Sequence, residues 1–173
     1  MRKVEKNDKG FSLVEVLIVI LIMTIITSLA LISYSVVSSA RISNAGKNLQ
    51  SVISEARTQS MAKGTNAGKL TLTMENGNLY AQVGDVATAS KEEISSGRMQ
   101  IYYVTNDYSS TTGLQISDGD VLEISFNTDG TVRKIDDTGA AINVPTNFLF
   151  ENSSRRMQVV LYLETGKCRT GLY

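Results

Sequence analysis

The side chains with chemical potential in this sequence fall into three groups. Glu15 is a lone carboxylate inside an otherwise uncharged apolar run, Phe11–Ile32. On membrane-insertion scales an acid in such a run costs roughly 2.5–3.5 kcal/mol, so Glu15 calls for a cationic partner. Near the C-terminus, Arg155, Arg156, Lys167 and Arg169 stand against only Glu151 and Glu164. A cluster of that kind can hold phosphate groups, and it is also what an ordinary solvated terminus carries. The remaining acids gather in sequences such as Asp129-Gly130 and Asp136-Asp137-Thr138-Gly139. Turn chemistry accounts for them, because short Asp side chains bond to nearby backbone N–H groups.

Several chemistries are excluded by what is missing. The chain has no His, hence no imidazole base and no imidazole metal ligand. An enzyme is not expected, nor a cofactor or metal site. Cys168 is the only cysteine, so no intrachain disulfide can form and the fold must be held by packing. Cys168 reads as a small apolar filler near the terminus. Net charge is zero, but it is unevenly spread. Residues 41–70 hold five basic residues against one acid, and residues 101–130 hold five acids and no base. A local basic surface is therefore compatible with neutrality overall.

The elements that position these groups begin with a polar segment, residues 1–10, containing Arg2, Lys3, Lys6 and Lys9 against Glu5 and Asp8. The apolar run that follows is 22 residues long, enough to span a bilayer as a helix. Its basic flank should stay cytoplasmic, which puts the C-terminal part outside. A cleaved secretory signal would have a shorter core and a small-residue cleavage site behind it. A plain signal anchor suits the length and the flanks, and leaves Glu15 unexplained.

Helical periodicity continues beyond the run. Ile42, Ala45, Leu49, Val52, Ile53 and Ala56 make one stripe, with Arg41, Lys47, Asn48 and Glu55 opposite. One helix is predicted from about Phe11 to Ala62, ended by Lys63-Gly64 with the glycine in a left-handed cap. After Gly68 the period changes to two. Strands are predicted at Leu70–Met74 and Leu79–Val83 around the turn Glu75-Asn76-Gly77-Asn78. A second hairpin is predicted from Val121–Phe126 and Thr131–Ile135, and further strands at Met99–Val104, Phe148–Phe150 and Met157–Leu163. Residues 84–98 and 106–119 read as polar loops. The fold class is α+β: a long N-terminal helix, transmembrane and then amphipathic, packed against antiparallel sheets of about seven strands.

The segment Lys9-Gly10-Phe11-Ser12-Leu13-Val14-Glu15 resembles the leader-peptide junction of type IV prepilins. The resemblance implies cleavage by prepilin peptidase between Gly10 and Phe11, methylation of the new Phe11 amine, and Glu15 as the fifth residue of the mature chain. The cationic amine of an incoming subunit could then meet the Glu15 carboxylate of a neighbour, a pair that would select register in an apolar bundle. The organisation is then a leader at 1–10, a transmembrane or filament-core helix at 11–32, its amphipathic continuation at 33–63 and a β-rich head at 64–173. The run has no Gly or Pro, which many pilins carry, so its helix should be straighter. Phe126, Gly130, Thr165, Gly166 and Lys167 are similar to the pattern of the GspH/FimT class of minor pilins and pseudopilins.

That resemblance implies a structural subunit of a type IV pilus or a type II secretion-like filament. Its partners would be other pilin subunits, prepilin peptidase and the cytoplasmic (inner) membrane. The precursor would be single-pass, and the mature chain would join a surface pilus or pseudopilus. One alternative is DNA capture in transformation. Gly166-Lys167-Cys168-Arg169 resembles the DNA-binding tail of FimT-like members, with Arg155 and Arg156 as possible extensions. Another is an adhesin or sensor merely anchored by the helix.

Overall fold

The computed structural model describes residues 12–96, 99–105, 113–134, 143–152 and 155–172, without the side chains at 29–35 and 172. The predicted leader, residues 1–10, and Phe11 lie outside the described residues. Two compact units divide at Val37 and Ser38, and each is taken by itself.

The first unit is helical from Leu13, the start of α1 (Leu13–Lys63). Its backbone ladder opens with Val16 N–H donating to the Ser12 carbonyl at 3.2 Å. The apolar side chains are exposed, Leu13 to 80% and Ile26 to 61%. Its hydroxyls turn back on the helix. Thr24 donates to the Leu21 carbonyl, Thr27 to Met23 and Ser28 to Ile25, at 2.7–2.8 Å. Each of these three hydroxyls is thereby satisfied within the helix, as an apolar surrounding requires. Among the described residues, no helix is long and apolar enough to cross a membrane. The run Phe11–Ile32 extends past the residues whose side chains are described.

In the second unit the predicted stripe is the buried face of α1. Ile42, Ala45, Leu49, Val52, Ile53 and Ala56 are all at most 3% exposed, and each of the larger ones contributes about 1.5–3 kcal/mol by burial. The helix stops at Gly64, whose N–H still donates to the Ser60 carbonyl at 2.9 Å. Gly64 does not take the left-handed helical conformation predicted for it. Its φ of 98° and ψ of 168° are an extended geometry open essentially to glycine alone, which redirects the chain into the short 3₁₀ turn Thr65–Gly68.

Among the described residues nine strands follow in two antiparallel sheets, α+β as expected. One has the order β3 (Glu92–Ser95), β2 (Asn78–Val83), β1 (Leu70–Glu75), β6 (Val121–Ile124). The other has the order β5 (Leu114–Gln115), β4 (Gln100–Thr105), β7 (Pro145–Glu151), β8 (Arg156–Tyr162), β9 (Lys167–Leu172). Helix and both sheets share one core, with Phe126, Phe148 and Phe150 fully buried. The β1–β2 hairpin is as predicted: Asn76 and Gly77 have φ of 52° and 75°, both positive, as a two-residue turn matched to strand twist demands.

Other expectations are corrected. β3 lies within the predicted loop 84–98; its adjacent glutamates at an exposed edge hide the alternation, and a bulge between Leu79 and Tyr80 shifts its register. β5 lies within the predicted loop 106–119. The second hairpin is shorter than expected among the described residues, and Ile135 lies outside them. Its arms meet at the Phe126–Val132 bridge, with Arg133 N–H donating to the Ser125 carbonyl and Asn127 N–H to the Thr131 carbonyl, both at 2.8 Å. β6 also pairs with β1, Leu72 opposite Leu122. The basic tail is itself a strand, β9, paired in register with β8.

Candidate functional site

Glu15 lies in the first turn of α1 and is exposed. Among the described residues it has no ion-pair partner. Gly10 and Phe11 lie outside the described residues. The carboxylate thus sits on a helix surface of exposed Leu, Val and Ile side chains, where any covering apolar partner would have to supply a cation.

The four C-terminal basic residues are divided by the β8–β9 register. Met157, Val159 and Leu161 point into the core, so Arg156, Gln158, Val160 and Tyr162 face outward. Lys167 lies opposite Tyr162, and Arg169 opposite Val160. Both therefore occupy the outer face of the sheet beside the exposed ring of Tyr162. Arg156 shares that face at the far end of β8, about 13 Å from the Arg169 position at ~3.3 Å per residue. It is held by Glu151 at 2.7 Å, and Arg155 precedes it in the β7–β8 turn. Lys167 and Arg169 are one pair, and Arg155 and Arg156 are another.

The other motif residues meet at one place. Arg57 Nε on α1 donates to the carbonyls of Gly130 at 3.1 Å and Thr165 at 3.0 Å. Ser60, fully buried, donates to the Phe126 carbonyl at 2.6 Å. Val132 N–H donates to the Leu163 carbonyl at 2.9 Å, and Lys134 pairs with Glu164. Gly130 has φ of 85°, and a Cβ there would meet Met61 Sδ at 2.8 Å and Arg57 Nη2 at 2.9 Å. Gly166 has φ of 60°, and a Cβ there would overlap the Gly130 carbonyl oxygen. Phe126, Gly130, Thr165 and Gly166 thus form a junction that locks the 127–130 turn and the β8–β9 turn onto the helix. Arg57 and Ser60 were not singled out from the sequence. The available signal was a basic and a small polar residue, three apart, on the last turns of an amphipathic helix.

Of the acids assigned to turns, Asp129 is occupied by its own turn, while Asp136 and Asp137 lie outside the described residues. Asp129 accepts from Thr131 Oγ1 at 2.7 Å and Thr131 N–H at 2.8 Å, and these bonds hold its carboxyl below the ordinary value. Asp118 accepts from Gly77 N–H and Asp120 from Ser117 N–H, both at 2.8 Å. Cys168 is half-buried against the core, its Sγ 3.6 Å from the Gln50 carbonyl. Burial pushes its thiol above the ordinary value, and a hydrogen bond with Ser54 opposes that shift. Among the described residues no cluster of His, Cys, Asp or Glu could hold a metal.

Fold and site together define an α+β protein whose first helix presents, among the described residues, an exposed apolar surface bearing one carboxylate. Residues 6–31 match the family of the prokaryotic N-terminal methylation motif, a match that includes Gly10, Phe11 and Glu15 and is consistent with a type IV pilin-like protein. No curated protein and no solved structure matches the chain. The motif supports a subunit that prepilin peptidase processes and that assembles with other pilins.

Proposed function

We propose that this chain is a structural minor pilin or pseudopilin, anchored in the membrane through residues 11–32 until it enters a type IV pilus or a type II secretion-like filament. The observation that carries this reading is Glu15, a carboxylate on an exposed apolar helix within the methylation motif. An unpaired charge in a packed helix bundle costs several kcal/mol, and a neighbour's Phe11 amine would relieve it. The head acts as a structural module rather than an enzyme, since its turn carboxylates are engaged in holding backbone. A Glu15→Ala variant should be cleaved and membrane-inserted as well as the wild type, yet be largely missing from sheared filaments. Incorporation at wild-type level would remove Glu15 from the assembly mechanism.

A second reading, DNA capture, is favoured by one arrangement: Lys167 and Arg169 side by side on an outward sheet face next to Tyr162. Phosphate contacts with stacking on an aromatic ring are how single-stranded nucleic acid is held without sequence preference. A gel shift with a single-stranded oligonucleotide tests it. Weakening by Lys167→Gln and Arg169→Gln together, with a reduced salt slope, supports this reading; a retained shift assigns binding elsewhere.

A further inference from the structure

The β7–β8 turn is fastened to α1 at a defined position. Asn152 Nδ2 donates to Ser38 Oγ at 2.6 Å. The same Asn152 holds the turn closed, its Oδ1 accepting from Arg155 N–H at 3.0 Å and its own N–H donating to the Arg155 carbonyl at 3.1 Å. At the second residue of β8, Met157 packs against Gly46, where a Cβ would meet its Sδ at 2.6 Å. The stretch of α1 from Ser38 to Gly46 therefore lies against the start of β8. Arg41 is three residues along from Ser38, on the adjoining part of the helix surface, and is exposed. Arg155 is exposed as well, and neither it nor Arg41 has an ion-pair partner among the described residues. Arg156 is shared with Glu151, so Arg41 and Arg155 carry the uncompensated charge of this rim.

Ser38 is six residues beyond Ile32, the end of the apolar run. At no more than roughly 3.6 Å per residue, the chain keeps Ser38 within about 22 Å of that end in any conformation. We propose that Arg41 and Arg155 form a membrane-proximal rim of the head that contacts the anionic headgroups of the bilayer in which the precursor waits. The inference rests on the reading that residues 11–32 span a membrane. Tethering favours a lipid surface over a soluble polyanion, because it keeps the headgroups at high effective concentration around the start of the head. The four C-terminal basic residues then serve two surfaces. Lys167 and Arg169 face outward elsewhere on the sheet, and the turn that carries Arg155 is fastened to Ser38, where the head begins. Each such side chain near an anionic surface contributes roughly fivefold in binding, so Arg41 and Arg155 together give about 25-fold.

The test uses the full chain reconstituted in vesicles of phosphatidylcholine alone and of phosphatidylcholine mixed with phosphatidylglycerol. Hydrogen exchange is read at the turn amides around Arg155 and, for comparison, in the β1–β2 hairpin. The expected result is exchange at the turn about fivefold or more slower in the anionic vesicles. High salt should abolish the difference, as should the pair Arg41→Gln and Arg155→Gln, with the hairpin unchanged throughout. Equal exchange at the turn in both lipids overturns the proposal, whatever the variant does. Protection of the turn by added duplex DNA, but not by phosphatidylglycerol, overturns it in favour of a nucleic-acid surface. A chain that washes off the vesicles in alkaline carbonate refutes the membrane-span reading itself, whereas a retained chain without lipid dependence refutes only the rim.

Discussion

Gly166→Ala probes the junction that ties the two β-turns to the helix. Two costs add at this position. The backbone φ of 60° is left-handed, and an L-residue there costs about 1–2 kcal/mol. The new Cβ would also overlap the Gly130 carbonyl oxygen and sit 3.1 Å from Arg57 Cδ. The obstacle is backbone, so the 127–130 turn must retreat, weakening the Arg57 bonds to Gly130 and Thr165. Each of these is worth about 1 kcal/mol net where the donor is partly exposed. The expected loss is about 3–4 kcal/mol. Gly77→Ala is the control: φ there is 75°, but nothing lies within 4 Å of the added Cβ, so only the backbone cost of about 1–2 kcal/mol applies. Urea unfolding of the detergent-solubilised chain, followed by near-ultraviolet circular dichroism of its tyrosines, measures both. If Gly166→Ala costs no more than Gly77→Ala, the close approach of the two turns does not stabilise the head, and the junction loses its structural meaning.

Ser60→Ala should destabilise by about 1–3 kcal/mol in the same assay, because it leaves the Phe126 carbonyl without its buried donor. The Cys168 thiol, raised by burial, should react with iodoacetamide more slowly than a free thiol at one pH. A group with a raised folded pKa stabilises fully below its unfolded value and loses that contribution as pH rises through the folded value, so a Cys168→Ala variant should show a flatter stability profile on the alkaline side. Asp129 has the opposite sign. Its lowered carboxyl favours the folded state above the ordinary carboxylate range, and the benefit disappears as acid is added through the folded pKa. Asp129→Asn should therefore reduce the acid sensitivity of the 127–131 turn, read as amide exchange at Thr131.

The sequence by itself determined what depends on neighbours along the chain. The methylation motif around Gly10, Phe11 and Glu15 is contiguous, so its residue types identify it. The stripe from Ile42 to Ala56 was legible because a helix repeats every 3.6 residues, and the Asn76-Gly77 hairpin because two positive φ angles restrict the residues that can turn there. Tertiary structure alone decided which distant pieces meet. The expected hairpin formed at its turn end, where Arg133 N–H donates to Ser125 and Asn127 N–H to Thr131, but the long-range pairing of β6 with β1 was invisible to local pattern. Loop closure costs grow only slowly with length, so such a distant pairing is open to the chain. Arg57 gained its role from two carbonyls that lie 73 and 108 residues away in sequence. The basic C-terminal residues could be counted in the sequence, but only the β8–β9 register divided them. Side chains in a strand alternate between faces, so register assigned Lys167 and Arg169 to the outer face, and the Asn152–Ser38 bond placed Arg155 beside the helix.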